Sequence, residues 1–180
     1  MAILTRSQLT SFAQSKAGSR GLRGVVNESR IYSKSTATTS IFLSHSHYDK
    51  NVVEEAKIFF ENLGISIYVD WADQTMPEST NGITASRIKN QIISVNDKFV
   101  LLATNNGVAS KWCNWEVGIA DPFKLPSKKI ALLPLADNSG TWNGAEYLQI
   151  YPRIEKDPRL TIGLGYLVFY PNGLYETLET

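Results

Sequence analysis

The stretch IFLSHSHYDKNVVEEAKIFFENLGISIYV, residues 41–69, sets the architecture. Its two ends are short, β-branched apolar runs, 41–44 and 65–69, of the kind found in strands buried on both faces. Between them Val52, Ala56, Phe59, Phe60 and Leu63 recur at helical spacing, with Asp49 placed to cap the start and Gly64 to end the helix. Working outward, the same alternation continues. Further apolar runs stand at 99–103, 130–135 and 167–170, which makes five strands. A second helix is predicted over 84–95, with Ile88, Ile92 and Val95 on one side and Arg87 and Lys89 outside. A third begins at Ser110, whose hydroxyl can cap the first turn, and ends near Ala120, before Asp121-Pro122. Strands and helices in alternation predict an α/β fold: a flavodoxin-like doubly wound sheet of five mainly parallel strands with helices on both faces. Ligands of such sheets bind beyond the carboxyl ends of the strands, which selects segments 44–49, 70–82, 104–110 and 136–144. The second is long for a strand-to-helix connection, and long connections in compact domains are often functional.

The rest of the chain bounds the classes of function. At 180 residues, 43% hydrophobic and 11% aromatic, it has material for one core. The formal net charge of +1 carries no global signature of nucleic-acid or anionic-membrane binding. A single cysteine, Cys113, excludes an intrachain disulfide and fits a reducing compartment. Ala2-Ile3-Leu4 is too short for a signal peptide, and no apolar run approaches the roughly 20 residues of a membrane span. The expectation is a cytoplasmic protein. Residues 1–38 hold six of the 18 basic residues and one acid, leaving 12 basic and 16 acidic residues from 39 onward. They read as a basic, serine-rich arm with a short helix capped by Ser7, poor in core-forming residues, and residues 39–180 as the folded domain.

Three pieces now match one family in order and spacing. Ile41-Phe42-Leu43-Ser44-His45-Ser46-His47-Tyr48-Asp49 resembles the opening box of bacterial TIR (Toll/interleukin-1 receptor-like) domains. Gly64-Ile65-Ser66-Ile67-Tyr68-Val69-Asp70-Trp71 is similar to their second strand and the loop that follows it. Ser110-Lys111-Trp112-Cys113-Asn114-Trp115-Glu116 resembles their serine, tryptophan, cysteine and glutamate signature. The resemblance runs from 39 to about 135, and 147–154 and 166–178 look like the closing segments of such proteins. The loop after Asp70 departs from the pattern, lacking the glycine-rich sequence of many TIR domains.

In the enzymatic branch of this family the matching glutamate is catalytic and NAD is the substrate. The resemblance therefore implies Glu116 as the catalytic residue and Trp112 as a stacking face in the same pocket. Ser44, His45, Ser46, Asp70 and Trp71 are the substrate-binding candidates around it, with no cofactor besides the NAD consumed and no metal. The chemistry suits one carboxylate: nicotinamide leaves neutral, and the oxocarbenium-like ribose left behind is stabilised by a nearby negative charge. On a helix, positions four apart share a side, which puts Trp112 beside Glu116. The implied function is an NAD nucleosidase, giving linear, cyclic or conjugated ADP-ribose in bacterial antiviral defence. Self-association through TIR surfaces and a separate effector that senses the product are the expected partners. Two other readings compete, a non-catalytic TIR adaptor and a nucleoside deoxyribosyltransferase-like enzyme. Single residues also have plainer roles: Ser110 a helix cap, Cys113 a small buried hydrophobe, Trp115 a structural filler. His45 and His47 with Asp49 lack a third strong ligand at a recognisable metal spacing. Gly163-Leu164-Gly165 precedes a strand instead of following one, so it is no dinucleotide fingerprint.

Overall fold

The computed structural model describes residues 2–17, 39–70, 81–160 and 165–178. In chain order the elements are β1 (Leu4–Thr5), α1 (Arg6–Ala17), β2 (Ser40–Ser44), α2 (Lys50–Glu61), β3 (Ser66–Tyr68), α3 (Gly82–Asn90), β4 (Lys98–Ala103), α4 (Asn105–Ala109), α5 (Lys111–Lys124), β5 (Ile130–Ala136), β6 (Arg153–Lys156), β7 (Tyr166–Phe169) and β8 (Tyr175–Thr177). The sheet order is β3-β2-β4-β5-β6-β7-β8, with β1 paired to β5 off this path. The segment β3 to β6 is parallel throughout and has the flavodoxin-like order expected from the sequence.

Eight strands stand among the described residues where five were expected. The fifth parallel strand is β6, whose sequence Arg-Ile-Glu-Lys carries too few apolar residues to register as a buried run. The run at 167–170 is instead β7, antiparallel to β6 and extended by β8.

Successive side chains of the central strands enter opposite layers. Ile41 and Leu43 join Val52, Val53, Ala56, Phe59 and Phe60 of α2 on one side. Phe42, between them, joins Ile88 and Ile92 and the inner face of α5, Cys113, Val117 and Ala120, on the other.

Residues 2–17 belong to the first of these layers, which corrects the expectation of an arm outside the core. Leu4, Leu9, Ala13 and Ala17 are buried, and the Phe12 ring meets Phe59 edge-on at 5.8 Å. Thr10 Oγ1 donates to the Glu55 carboxylate at 2.9 Å, a polar pin inside an otherwise apolar contact. The backbone is committed too: Leu4 and Thr5 pair with Leu135 and Ala136, and Ala2 bridges Lys156. Serines on the outer side of α1 diluted its apolar signal, while three small or aliphatic buried residues, Leu9, Ala13 and Ala17, suffice because α2 supplies the large ones. Residues 18–38 lie outside the described residues.

Two helices also differ from expectation. The predicted helix over 84–95 is regular only to Asn90; the turn Gln91–Val95 widens to i→i+5 bonding, and Asn96 N donates to Gln91 O. That extra residue rotates Val95 off the buried side and leaves it exposed, while Ile88 and Ile92 stay in the core. The third helix runs past Pro122 to Lys124. Pro122 has no N–H for Gly118, but Gly118 is exposed and water can serve its carbonyl. The last turn is held from the side, where the Lys124 ammonium donates to the carbonyls of Asn96 at 2.7 Å and Asp97 at 3.2 Å.

Candidate active site

The carboxyl ends of β2, β3 and β4 and the first half of α5 converge at Glu116. Parallel strands bring Ser44, Asp70 and Thr104 to one edge of the sheet, and α5 starts there because Ser110 caps it, accepting from Cys113 N at 3.3 Å. One turn further on, Glu116 points inward and is only 2% exposed. Ser44 Oγ donates to Glu116 Oε2 at 2.5 Å, so the last residue of the first core strand holds the carboxyl. Helical carboxylates are ordinarily solvated, whereas this one is buried.

Burial raises the Glu116 pKa to about 8; the Ser44 hydroxyl opposes the shift, the negative charge of Asp70 adds to it, and the Trp112 indole N–H opposes it. The Trp112 ring packs on Trp115 with centroids 4.9 Å apart, and Trp115 is 38% exposed, so it braces Trp112 from the surface. Cys113, on the inner side of the same turn, is fully buried and its thiol is pushed up to about 11, chiefly by burial.

His45 is brought to the same edge with its side chain nearly closed off. Its Nδ1 donates to the Leu43 carbonyl at 2.9 Å, which directs Nε2 toward Asp70 Oδ1 at 3.6 Å. Ser46 is buried with its hydroxyl accepting from Tyr48 N, so it shapes the turn after β2. His47 is exposed and its ring lies on Tyr48. Trp71 lies outside the described residues.

Asp49 does not cap α2 as expected. Its carboxylate turns inward and accepts from Thr104 Oγ1 at 2.6 Å and Asn106 Nδ2 at 2.8 Å. Thr104 Oγ1 in turn accepts from Gly107 N, capping α4. This clasp ties the loop after β2 to the loop after β4 and so fixes the backbone that carries Ser44 and His45. Reading the sequence could not find it, because Asp49 and Thr104 are 55 positions apart and both also fit local capping roles. Among the described residues no three His, Cys, Asp or Glu side chains are grouped to hold a metal, and no helix is long and apolar enough to cross a membrane.

With serine, tryptophan and glutamate assembled at the switch point of this sheet, the family can be settled by comparison. Residues 41–153 match the family described as TIR domain. The chain belongs to the TIR family. Its matched span runs from β2 to the start of β6, so strands β2 to β5 and the Glu116 site lie within the TIR unit. Over 120 residues this TIR protein is 35% identical to a probable 3' cyclic ADP-D-ribose synthase, ThsB', of Bacillus cereus (strain MSX-D12). The alignment covers 64% of the chain and 60% of that relative's length.

Proposed function

We propose that the protein is an NAD-cleaving TIR enzyme that breaks the bond between nicotinamide and ribose, with Glu116 as its catalytic residue. The observation that carries this reading is the buried Glu116–Ser44 pair beside Trp112 at the carboxyl edge of the sheet. In the reaction the carbon–nitrogen bond breaks, nicotinamide takes the bonding electrons and leaves neutral, and positive charge spreads over the ribose. An ionised Glu116 stabilises that charge from a site sheltered from water, where a carboxylate counts for more than it would in solution. A hydroxyl then attacks the ribosyl carbon and loses its proton. A carboxylate whose conjugate acid has a pKa near neutral is suited to take that proton.

If the hydroxyl belongs to water the product is ADP-ribose; if it belongs to the same molecule the product is a cyclic isomer. Similarity to a probable 3' cyclic ADP-D-ribose synthase favours cyclisation. A cyclic nucleotide made by a chain of this kind serves as a signal to a separate effector, in keeping with a role in antiviral defence. Because Glu116 is almost wholly enclosed, the site opens to admit NAD.

The deciding experiment is incubation of the purified protein with NAD, with nicotinamide release followed by chromatography and the second product identified by mass. Release of nicotinamide that disappears in Glu116→Gln supports the assignment. An inert protein that nevertheless associates with other TIR domains would favour the adaptor reading, and turnover of deoxynucleosides but not NAD would favour the deoxyribosyltransferase reading.

A further inference from the structure

Beyond the Glu116 site the α5 side of the sheet carries a second concave feature. The segment after β5 is pinned along α5, where Tyr147 Oη donates to Asn114 Oδ1 at 2.5 Å and Tyr151 Oη to Asp121 Oδ1 at 2.8 Å. Its leading end is fixed by Trp142, whose indole N–H donates to the Ala103 carbonyl at 2.5 Å. Between this segment and the turn joining β7 to β8 lies a cavity of about 550 Å³. Its walls include Trp142, Tyr151, Phe169 and Tyr170, and Arg153 is the one charged side chain among the described residues that line it. That volume is in the range of roughly 300–1,000 Å³ typical of small-molecule sites.

The chemistry of the lining is specific. Arg153 and Phe169 are direct partners across the β6–β7 pair, so the guanidinium and a ring share one face of the sheet. Glu155 Oε1 sits 3.1 Å from Arg153 Nε, and the arginine side chain remains 42% exposed. With Nε occupied, the outer edge of the guanidinium is available to a planar or tetrahedral anion. Lys128 Nζ lies 5.2 Å from the Tyr170 ring centroid and adds positive charge to the same wall. Aromatic faces beside a guanidinium match a ligand that joins a planar ring to an anionic group.

We propose that this cavity is a nucleotide-binding site distinct from the Glu116 carboxyl, taking a nucleoside monophosphate with its base on the aromatic wall and its phosphate on Arg153. Glu116 is bonded to β2 and is not among the residues that line the cavity, whose wall runs from Trp142, held at the end of β4, to β6 and the β7–β8 turn. The inference does not depend on NAD cleavage, since it stands on the lining alone. A free nucleotide and the adenylate half of a dinucleotide share the required chemistry.

The test is titration of the ¹⁵N-labelled protein with AMP, reading its four tryptophan indole signals, with Trp142→Phe assigning that of Trp142. AMP is expected to shift the Trp142 signal saturably, and adenosine to bind about tenfold more weakly, the scale of one charge-assisted contact. Arg153→Gln should weaken AMP to a similar degree. Because that change also strips Glu155 of its partner, the exposed lining residue Gln149 provides a pair of opposite sign: Gln149→Glu weakens AMP and Gln149→Lys tightens it. Glu116→Gln should leave AMP binding unchanged. Displacement of AMP by NAD would assign the cavity to the adenylate half of a dinucleotide, and simultaneous binding would assign it to a separate nucleotide. The proposal is overturned if AMP leaves Trp142 unmoved up to about 10 mM, a binding free energy too weak to matter. Equal affinity for adenosine, indifference to charge at 149, or loss of AMP binding in Glu116→Gln would overturn it as well.

Discussion

A carboxyl group whose folded pKa is about 8, against an ordinary 4.5, binds its proton more tightly in the folded chain than in the unfolded one. Its contribution to stability is complete below pH 4.5 and is lost as pH rises through about 8, because the unfolded chain ionises first. Glu116→Gln removes that liability. The variant should match the parent in denaturant titrations near pH 4 and exceed it near pH 9 by a few kcal/mol, at about 1.4 kcal/mol per pKa unit. NAD turnover should meanwhile fall roughly a hundredfold, as for loss of one preorganised electrostatic group. A folded Glu116→Gln protein with near-normal turnover would move the chemistry elsewhere. The same residue sets a pH profile. Since kcat/KM reports the free enzyme, it should climb through about pH 8 as Glu116 ionises. Ser44→Ala removes a hydrogen bond that lowers the Glu116 pKa, so its profile should move to higher pH. A Ser44→Ala profile identical in midpoint to the parent's would show that another group titrates.

At the scale of elements, α1 and the short α4 make the sharpest claims. Leu9 is fully buried between α1 and α2, and Leu9→Ala should cost about 2–5 kcal/mol in chemical unfolding. A loss under about 0.5 kcal/mol, the level of an ordinary surface change, would return α1 to the periphery. Gly107 is even less replaceable: a Cβ there would stand 2.5 Å from the Leu102 carbonyl oxygen. Gly107→Ala should therefore unfold at lower temperature and disturb the Asp49–Thr104 clasp that α4 helps to hold. An unchanged melting temperature would contradict that packing.

These elements also mark how far the sequence alone could be read. Strands β2 to β5 and helix α2 were legible because burial on both faces demands unbroken apolar runs, and one-sided burial demands helical periodicity. The end of α3 was not, since a single widened turn displaces Val95 without altering the pattern before it. Pro122 signalled an end to α5 that Lys124 overrides from outside the helix. At the site, Ser44, Trp112 and Glu116 were singled out through the resemblance to TIR motifs, whereas the burial of Glu116 and the inward turn of Asp49 depend on contacts 72 and 55 positions away.

At the scale of the molecule, six of the ten large apolar side chains exposed among the described residues lie on the α3 and α5 side. Ile83 lies in the first turn of α3 and Val95 just beyond its end, Trp115 and Phe123 project from α5, and Tyr147 and Ile150 lie on the segment beside it. Such surface fits association between copies, and a site that opens for substrate can be stabilised open by a neighbour. NAD turnover per subunit is expected to rise with protein concentration, in step with the oligomer measured by sedimentation. Constant specific activity across a wide dilution series would count against it.

Among the described residues the two outermost strands, β3 and β8, are three residues each. A strand edge that short offers few unpaired backbone groups and cannot template the addition of another chain. The sheet is thus poorly suited to grow from copy to copy by main-chain hydrogen bonding, as amyloid does. Assemblies of this protein should remain reversible, dissolving on dilution and leaving thioflavin fluorescence flat even where light scattering rises.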